Sequence, residues 1–347
     1  MQGSAVVVGG GIAGLAVARA LLAGGWDVQV RERAAAAPST GASLGMWPHA
    51  VAALEQLGLR DLVRAGTVAA SSGELLRPDG RRLVHLEPPG PARLVARPQL
   101  LAALAEGLPP GVLRWGAPAL SAAELPAADV LVAADGVGSV VRRDVFGPAS
   151  APRPLGTVAV RGTADVPPAG MSETWGAGRM FGTTARLDGR TNVYACFRSA
   201  LAAPAEAADP QELLRRVFAG WHAGVVETVE HLQPDSLDVR PLLDLRPLRS
   251  TVRGTTVLVG DAAHAMAPNL GRGACESLVD AVVLARHLVA APDVATALRG
   301  YDRERRRPAA RLVRASRLLN RVSTAEHLTG LRDGALALTG RVLAGRR

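Results

Sequence analysis

The sequence predicts an α/β fold centred on a parallel sheet. Three observations predict it: a short apolar strand that runs into GGGIAG and a helix-forming stretch, and two later apolar runs, DVLVAADG and TTVLVGD, that each end in an aspartate paired with glycine. Parallel strands are buried on both faces, so they read as unbroken apolar runs rather than alternating ones.

The first strand is Ala5–Val8, and Gly9, Gly11 and Gly14 after it fit GxGxxG. One glycine permits the tight turn, a second lets backbone approach a pyrophosphate, and the third lets helix and strand pack closely. Ile12 and Ala13 open a helix to about Ala23, whose free N–H groups and positive dipole end favour phosphate. Gly24-Gly25 end it with a left-handed turn. The next strand, Asp27–Arg31, ends at Glu32, 18 residues after Gly14. A carboxylate there accepts ribose hydroxyls and disfavours a 2′-phosphate. Strand, glycine turn, helix and terminal acid together predict a Rossmann-like dinucleotide site. The turn alone does not separate FAD from NAD.

Gly41–Leu57 is expected to be a loop and then a helix starting at Pro48. Gly73–Leu86 reads as a hairpin around Pro78-Asp79-Gly80, and Arg97-Pro98 opens another helix. The second apolar run ends at Ala134, then Asp135-Gly136, with Gly138, Ser139 and Arg142 leading into a helix. The third, Thr256–Val259, ends at Gly260-Asp261. Pro268 then enters a turn, and Gly271 and Gly273 precede a helix to about Val289. Ligands of open α/β sheets lie at the C-terminal strand ends, so the three motifs line one elongated ligand. Asp261 is placed for a sugar or ribityl hydroxyl. The Gly271–Ala274 turn aims a helix N-terminus at an electron-rich group.

Composition narrows the classes. A chain of 347 residues, 48% apolar, holds about two domains with a sizeable core. Aromatics at 3% argue against a base-stacking nucleic-acid surface. The net charge of +9 includes the run Arg303–Arg307, which reads as a solvated helix face. Cys196 and Cys275 lack metal-ligand spacing, and a cytoplasmic protein with reduced thiols is expected. The N-terminal apolar stretch is interrupted by Arg19 and reads as strand, turn and helix rather than a leader or transmembrane segment. No oligomeric state is legible.

GGGIAG with Glu32-Arg33, the Arg97 helix, ADGVGSVVR and GDAAHAMAPNLGRGA resemble the signature of class A, single-component FAD-dependent monooxygenases, the para-hydroxybenzoate hydroxylase-like family. The resemblance covers most of the chain. It implies an α/β protein with a Rossmann-like FAD-binding domain, an inserted, mostly antiparallel β-sheet substrate domain and C-terminal helices. The FAD domain would comprise 1–66, 97–152 and 249–295, the substrate domain 67–96 and 153–248, and the helices 296–347. Strand-like runs at Thr157–Arg161, Asn192–Arg198 and Ser236–Val239 belong to the insert.

The same resemblance implies roles. Gly9, Gly11, Ile12, Ala13 and Gly14 would hold the pyrophosphate, and Glu32 the adenosine ribose, with Arg33 nearby. Arg97 would reach the sugar-phosphate side. Gly260 and Asp261 would meet the ribityl or pyrophosphate region. Pro268, Gly271, Gly273, Ala274 and Cys275 would line the isoalloxazine. Asp135 and Arg142 belong to a motif linked with both FAD and the nicotinamide. Trp47, Trp175, Met180 and Tyr194 are candidate substrate residues, while His264 is expected to fix its loop and His49 to sit on a helix surface. The implied activity uses NADPH or NADH and O2 to hydroxylate or epoxidise an electron-rich aromatic, indole or polyene small molecule, in secondary metabolism. The cofactor does the hard chemistry, so no catalytic side chain is assigned. Arg272 departs from a common Gln and is expected to face solvent. A flavin-dependent reductase without oxygen insertion is the other reading. A halogenase is disfavoured, because no tryptophan lies in a WxW pattern.

Overall fold

The computed structural model describes residues 3–39, 41–69, 72–86, 92–202 and 209–344. Within the expected segments, residues 1–2, 40, 70–71, 87–91, 203–208 and 345–347 lie outside the described residues.

The parallel sheet is centred on Ser4–Val8, whose valines are buried. In spatial order its strands are Val252–Arg253, Thr256–Leu258, Val130–Ala133, Ser4–Val8, Asp27–Arg31 and Leu113–Arg114. All neighbours are parallel except the first two, which form an antiparallel hairpin. Helix Ile12–Ala23 follows the glycine turn as expected and ends at Gly24-Gly25, with Gly25 left-handed at φ +77°. Its apolar face packs on helix Gly273–Ala290, joining Leu15, Val17 and Leu21 to Leu278, Ala281 and Leu288 in one core.

The second sheet has seven strands in the order Asp238–Asp244, Arg153–Ala164, Thr191–Arg198, Arg179–Ala185, Met171–Gly176, Gly73–Leu76 and Arg82–Leu86. Only Met171–Gly176 with Gly73–Leu76 is a parallel pair. The hairpin near residue 80 thus joins the insert. Successive side chains alternate between faces. On one face Val160, Phe181, Val193 and Phe197 pack against helices Pro210–Val217 and Ala223–Glu230. Phe218 makes edge-on contacts there with Phe181 at 5.1 Å and Trp221 at 4.8 Å. On the other face Ala159, Trp175, Met180 and Cys196 meet Leu319 and Val322 of helix Val294–Ser323 and Leu336 of helix Thr329–Ala344.

Two expectations change. Residues Ser43–Met46, expected as loop, form a strand that pairs antiparallel with Arg93–Ala96, which also pairs with Val68–Ala69. These three strands form a small third sheet that joins residues expected in the FAD-binding domain to residues expected in the substrate domain. Arg305 does not lie on a solvated face: it is buried at 8% exposure. Among the described residues no helix is long and apolar enough to cross a membrane, and no cluster of three His, Cys, Asp or Glu is arranged for a metal.

Candidate active site

The sheet order sets the motifs side by side. Gly9 follows the central strand, Glu32 and Asp135 follow its two neighbours, and Gly260-Asp261 follow the strand beyond. The three turn glycines are not equivalent. A Cβ at Gly9 would lie 2.4 Å from the Ala134 carbonyl oxygen, and one at Gly14 would lie 1.9 Å from that of Gly9. A Cβ at Gly11 would meet nothing within 4 Å. The outer two are required by packing, while the middle one faces open space at the start of a helix with no side-chain cap. Glu32 fastens the turn to the second strand: Oε2 accepts from the Gly10 N–H at 2.5 Å and Oε1 from the Ala34 N–H at 2.8 Å. Each oxygen keeps a further lone pair for a ligand hydroxyl.

Gly260 brings the third motif against the first. Its φ is +57°, and a Cβ would lie 2.8 Å from both the Ala13 Cβ and the Ser277 Oγ. No other residue fits that conformation in that gap. The Asp261 carboxylate is exposed and faces the Gly273 end of the long helix. Pro268–Leu270 forms one helical turn, Gly271 is left-handed at φ +60°, and the helix starts at Gly273. Two donors beside this turn, Trp47 Nε1 and Arg272 Nε, are buried without a partner among the described residues. Arg272 is therefore not solvent-facing as expected: its side chain is half-buried and its Nη2 donates to Glu276 at 3.0 Å. The Cys275 thiol is fully buried and donates to the Gly45 carbonyl at 3.1 Å. It ties strand Ser43–Met46 to the helix, leaving only its backbone for a ligand.

A charged network supports the loop from beneath. Asp280, with no exposure, accepts from the Gly260 N–H at 2.8 Å, from Arg305 Nε at 2.6 Å, and pairs with His264 Nε2 at 2.6 Å. Arg305 also donates to Glu276 at 2.6 Å, and His49 lies 3.4 Å from that carboxylate, so His49 is not a plain surface residue. Burial alone would lower the His264 pKa, but the Asp280 charge and hydrogen bond outweigh it and raise it. Burial likewise favours protonated Glu276, yet His49 and Arg305 hold its carboxyl far below the usual range. Ion pairs buried this completely hold a geometry in place, because losing either partner strands a charge.

The seven-stranded sheet roofs the space in front of these strand ends. Its inner face carries a lateral row, one residue per strand: Asp238, Arg161, Tyr194, Gly182 and Glu173. Gly182 leaves the room that the Tyr194 ring occupies, since a Cβ there would lie 2.2 Å from the ring. Tyr194 OH donates to Glu173 Oε1 at 2.9 Å, and Trp175 Nε1 donates to Oε2 at 2.8 Å. Burial, then the Glu173 charge, raises the Tyr194 pKa well above 10, so Tyr194 is no base at neutral pH. In the next row Asn192 Oδ1 accepts from the Ser43 N–H at 2.8 Å, which pins the roof to the cofactor side. Met180 is buried and its sulfur accepts from Asn269 at 3.8 Å.

Family models match along nearly the whole chain: an FAD-dependent oxidoreductase model over residues 4–124 and an FAD-binding domain model over 123–316. The aurachin C monooxygenase/isomerase of Stigmatella aurantiaca is 32% identical over 321 residues, covering 86% of this chain and 83% of the relative. The chain belongs to the class A FAD-dependent monooxygenases. An FAD-dependent urate hydroxylase of Mycolicibacterium vanbaalenii is 29% identical over 341 residues, 90% of this chain and 86% of that one. The structure of Klebsiella pneumoniae HpxO complexed with FAD and uric acid superposes with a TM-score of 0.86 at 25% identity, covering 99% of this chain and 95% of that one. This monooxygenase is thus an oxidoreductase that works with FAD, NAD(P)H and O2 on a small molecule.

The residues present fit FAD. The open space at Gly11, the uncapped helix start and the Glu32 carboxylate suit a pyrophosphate and a ribose. The unpartnered Trp47 and Arg272 donors lie at the turn expected beside the isoalloxazine. Other candidates are placed differently. Arg142 is buried and donates to the carbonyls of Val137, Ser150 and Ala262, clamping the Asp135 turn to the third motif. Asp135 Oδ2 caps the helix at the Val140 N–H, 2.7 Å away, and leaves Oδ1 unpartnered. Arg33 and Arg97 are exposed. Trp175 is core, at 6% exposure. Sequence reasoning missed Asp280, Glu276 and Arg305 as one network, and missed Arg161. The only signal for the network was Asp280 two helical turns beyond Gly273.

Proposed function

We propose that this monooxygenase hydroxylates a small, polar, electron-rich aromatic ring held between the Gly271 turn and the inner face of the seven-stranded sheet. The observation that carries the reading is the polar row Arg161, Tyr194 and Glu173 across that face. A polyene would call for a long aliphatic trough, because specificity rests on a few polar groups in an otherwise apolar pocket. Relatives named for urate and for 3-amino-4-hydroxybenzoate support a ring substrate.

In this reading Gly9, Gly11 and Gly14, with the N–H groups of Ile12 and Ala13, hold the FAD pyrophosphate. Glu32 takes the adenosine ribose, flanked by Arg33. Arg97 and Asp135 border the sugar-phosphate side. Gly260 and Asp261 meet the ribityl chain, and the backbone from Pro268 to Cys275 lines the isoalloxazine. Residues 1–66, 97–152 and 249–295 form the FAD unit, and 67–96 with 153–248 the substrate unit. Bound FAD supplies electrons taken from NADPH or NADH and the activation of O2. The protein orients the ring and excludes water: Trp47 and Met180 wall the space and Asn192 fixes the roof. A reducing, cytoplasmic setting suits the two buried free thiols.

The test is the visible spectrum of the purified protein, followed by NAD(P)H oxidation and O2 uptake with phenols, hydroxybenzoates, indoles and polyenes. A yellow protein whose oxidation rises with a ring substrate, and whose product carries one atom from O2, is expected. Turnover without oxygen insertion would move the assignment to a reductase. Glu32→Ala and Asp261→Ala should both lower FAD occupancy, and full occupancy in both would overturn the site.

A further inference from the structure

Helix Val294–Ser323 carries nine arginines and two acidic residues, which leaves on it seven of the chain's net nine positive charges. Three of the arginines are engaged: Arg305 with Asp280 and Glu276, Arg306 with Asp302, and Arg317 with Asp244. The outer face is different. At about 100° per residue, Arg303, Arg307, Arg311, Arg314, Leu318 and Arg321 fall within an arc of about 80°, along about 27 Å of helix. All six are exposed. Among the described residues these five arginines make no ion pair or hydrogen bond. The exposed acid beside them, Glu304, is held by Arg286 and His287. At the head of the row, Arg299 and Arg303 border an open hollow of about 300 Å³, together with Thr296 and His287. Large apolar side chains are bare in the same part of the chain: Leu318 is 63% exposed, and Leu328, Leu331 and Leu338 follow it.

Arg303, Arg307 and Arg311 stand at i, i+4 spacing, where like charges repel, so the row costs the fold stability that no contact on this face returns. An extended anionic partner would return it. No aromatic side chain lies on the arc, so nucleic-acid bases would find nothing to stack on. A partner made of carboxylates would leave Leu318 facing charge. A bilayer takes both kinds of side chain at once: phosphate headgroups meet the guanidinium groups, and the leucine sinks toward the acyl boundary. We infer that the outer face of helix Val294–Ser323 docks this monooxygenase on a membrane surface rich in anionic lipid, with one headgroup phosphate seated between Arg299 and Arg303. The inference is independent of the substrate, since it uses the side of the helix turned away from Asp280 and the cofactor loop.

The experiment sediments the FAD-loaded protein with vesicles of phosphatidylcholine alone and of phosphatidylcholine with about 30% phosphatidylglycerol. The anionic vesicles should bind it about tenfold or more tightly, and about 0.5 M salt should remove most of the difference. Each arginine near such a surface contributes about fivefold, so Arg311→Gln with Arg314→Gln should weaken binding about tenfold or more. Arg60→Gln with Arg64→Gln changes the net charge equally at another exposed helix and should weaken it about twofold or less. Leu318→Asn should weaken it a few-fold without changing its salt dependence. FAD occupancy should stay unchanged in every variant. Equal binding to both vesicle types would overturn the inference. So would equal losses in the two double variants, since net charge and not this face would then be responsible. Tighter binding to duplex DNA than to anionic vesicles at the same phosphate concentration would overturn it in favour of a nucleic-acid partner.

Discussion

His264 Nε2 and Asp280 Oδ2 meet at 2.6 Å with both side chains buried, and the Gly260 N–H converges on the same oxygen. A proton held on the imidazole therefore fixes the backbone of the glycine that presses the third motif against the first.

This pair predicts a pH dependence of stability. The folded His264 pKa is raised, so its contribution is fully present below the unfolded value of about 6.5 and fades as pH rises through the higher folded value. The folded Asp280 pKa is lowered: burial opposes ionisation, but His264 and Arg305 outweigh it. Its contribution is present above about pH 4 and fades as pH falls through the lower folded value. His264→Gln should cost roughly 1–3 kcal/mol at pH 6 and distinctly less at pH 9. Urea unfolding at both pH values checks it, and an equal loss at each would show that the charged pair is not what stabilises the loop.

The turn glycines predict a split between folding and binding. Gly14→Ala places a methyl 1.9 Å from a backbone oxygen and should destabilise the protein by roughly 3 kcal/mol or more. Gly11→Ala enters open space and should leave apoprotein stability within about 0.5 kcal/mol, while FAD affinity drops about tenfold or more. Thermal melts of apoprotein with FAD titrations separate the two, and a Gly11→Ala protein with normal FAD affinity would mean the pyrophosphate lies elsewhere.

The cysteines predict inertness. Burial pushes both Cys196 and Cys275 up to about 11. At pH 8 only ~0.1% of each is thiolate, so iodoacetamide should modify neither until the protein is unfolded. Mass spectrometry of native and denatured samples checks this, and fast native labelling would contradict the packing of Cys275 on Gly45.

What the sequence disclosed followed from local chemistry. The GGGIAG turn, Glu32, Asp135 and Gly260-Asp261 are strand-end residues, and each sits where an apolar run stops. Ser43–Met46 escaped notice because SLGM is short, contains glycine and owes its strand form to pairing with Arg93–Ala96. Met171–Gly176 and Arg179–Ala185 were hidden by their Gly, Thr and Ser content, which carries little alternation. Arg305 looked like one of four arginines in a polar run. Only the tertiary approach of helix Gly273–Ala290 distinguishes it, by presenting Asp280 and Glu276 to that one position. Arg161 was invisible for the same reason: its meaning lies in the strands on either side.

Helix Val294–Ser323 touches everything that matters. Arg305 holds Asp280 beneath the cofactor loop, Asn320 donates to Asn269 in the turn and to Cys196 in the sheet, and Arg317 donates to Asp244 at the sheet edge. The proposed substrate unit is consequently not transplantable as residues 153–248 alone. A chimera that exchanges residues 153–248 between relatives would inherit a roof without its keel, and only a graft that carries this helix as well should arrive in register over the cofactor.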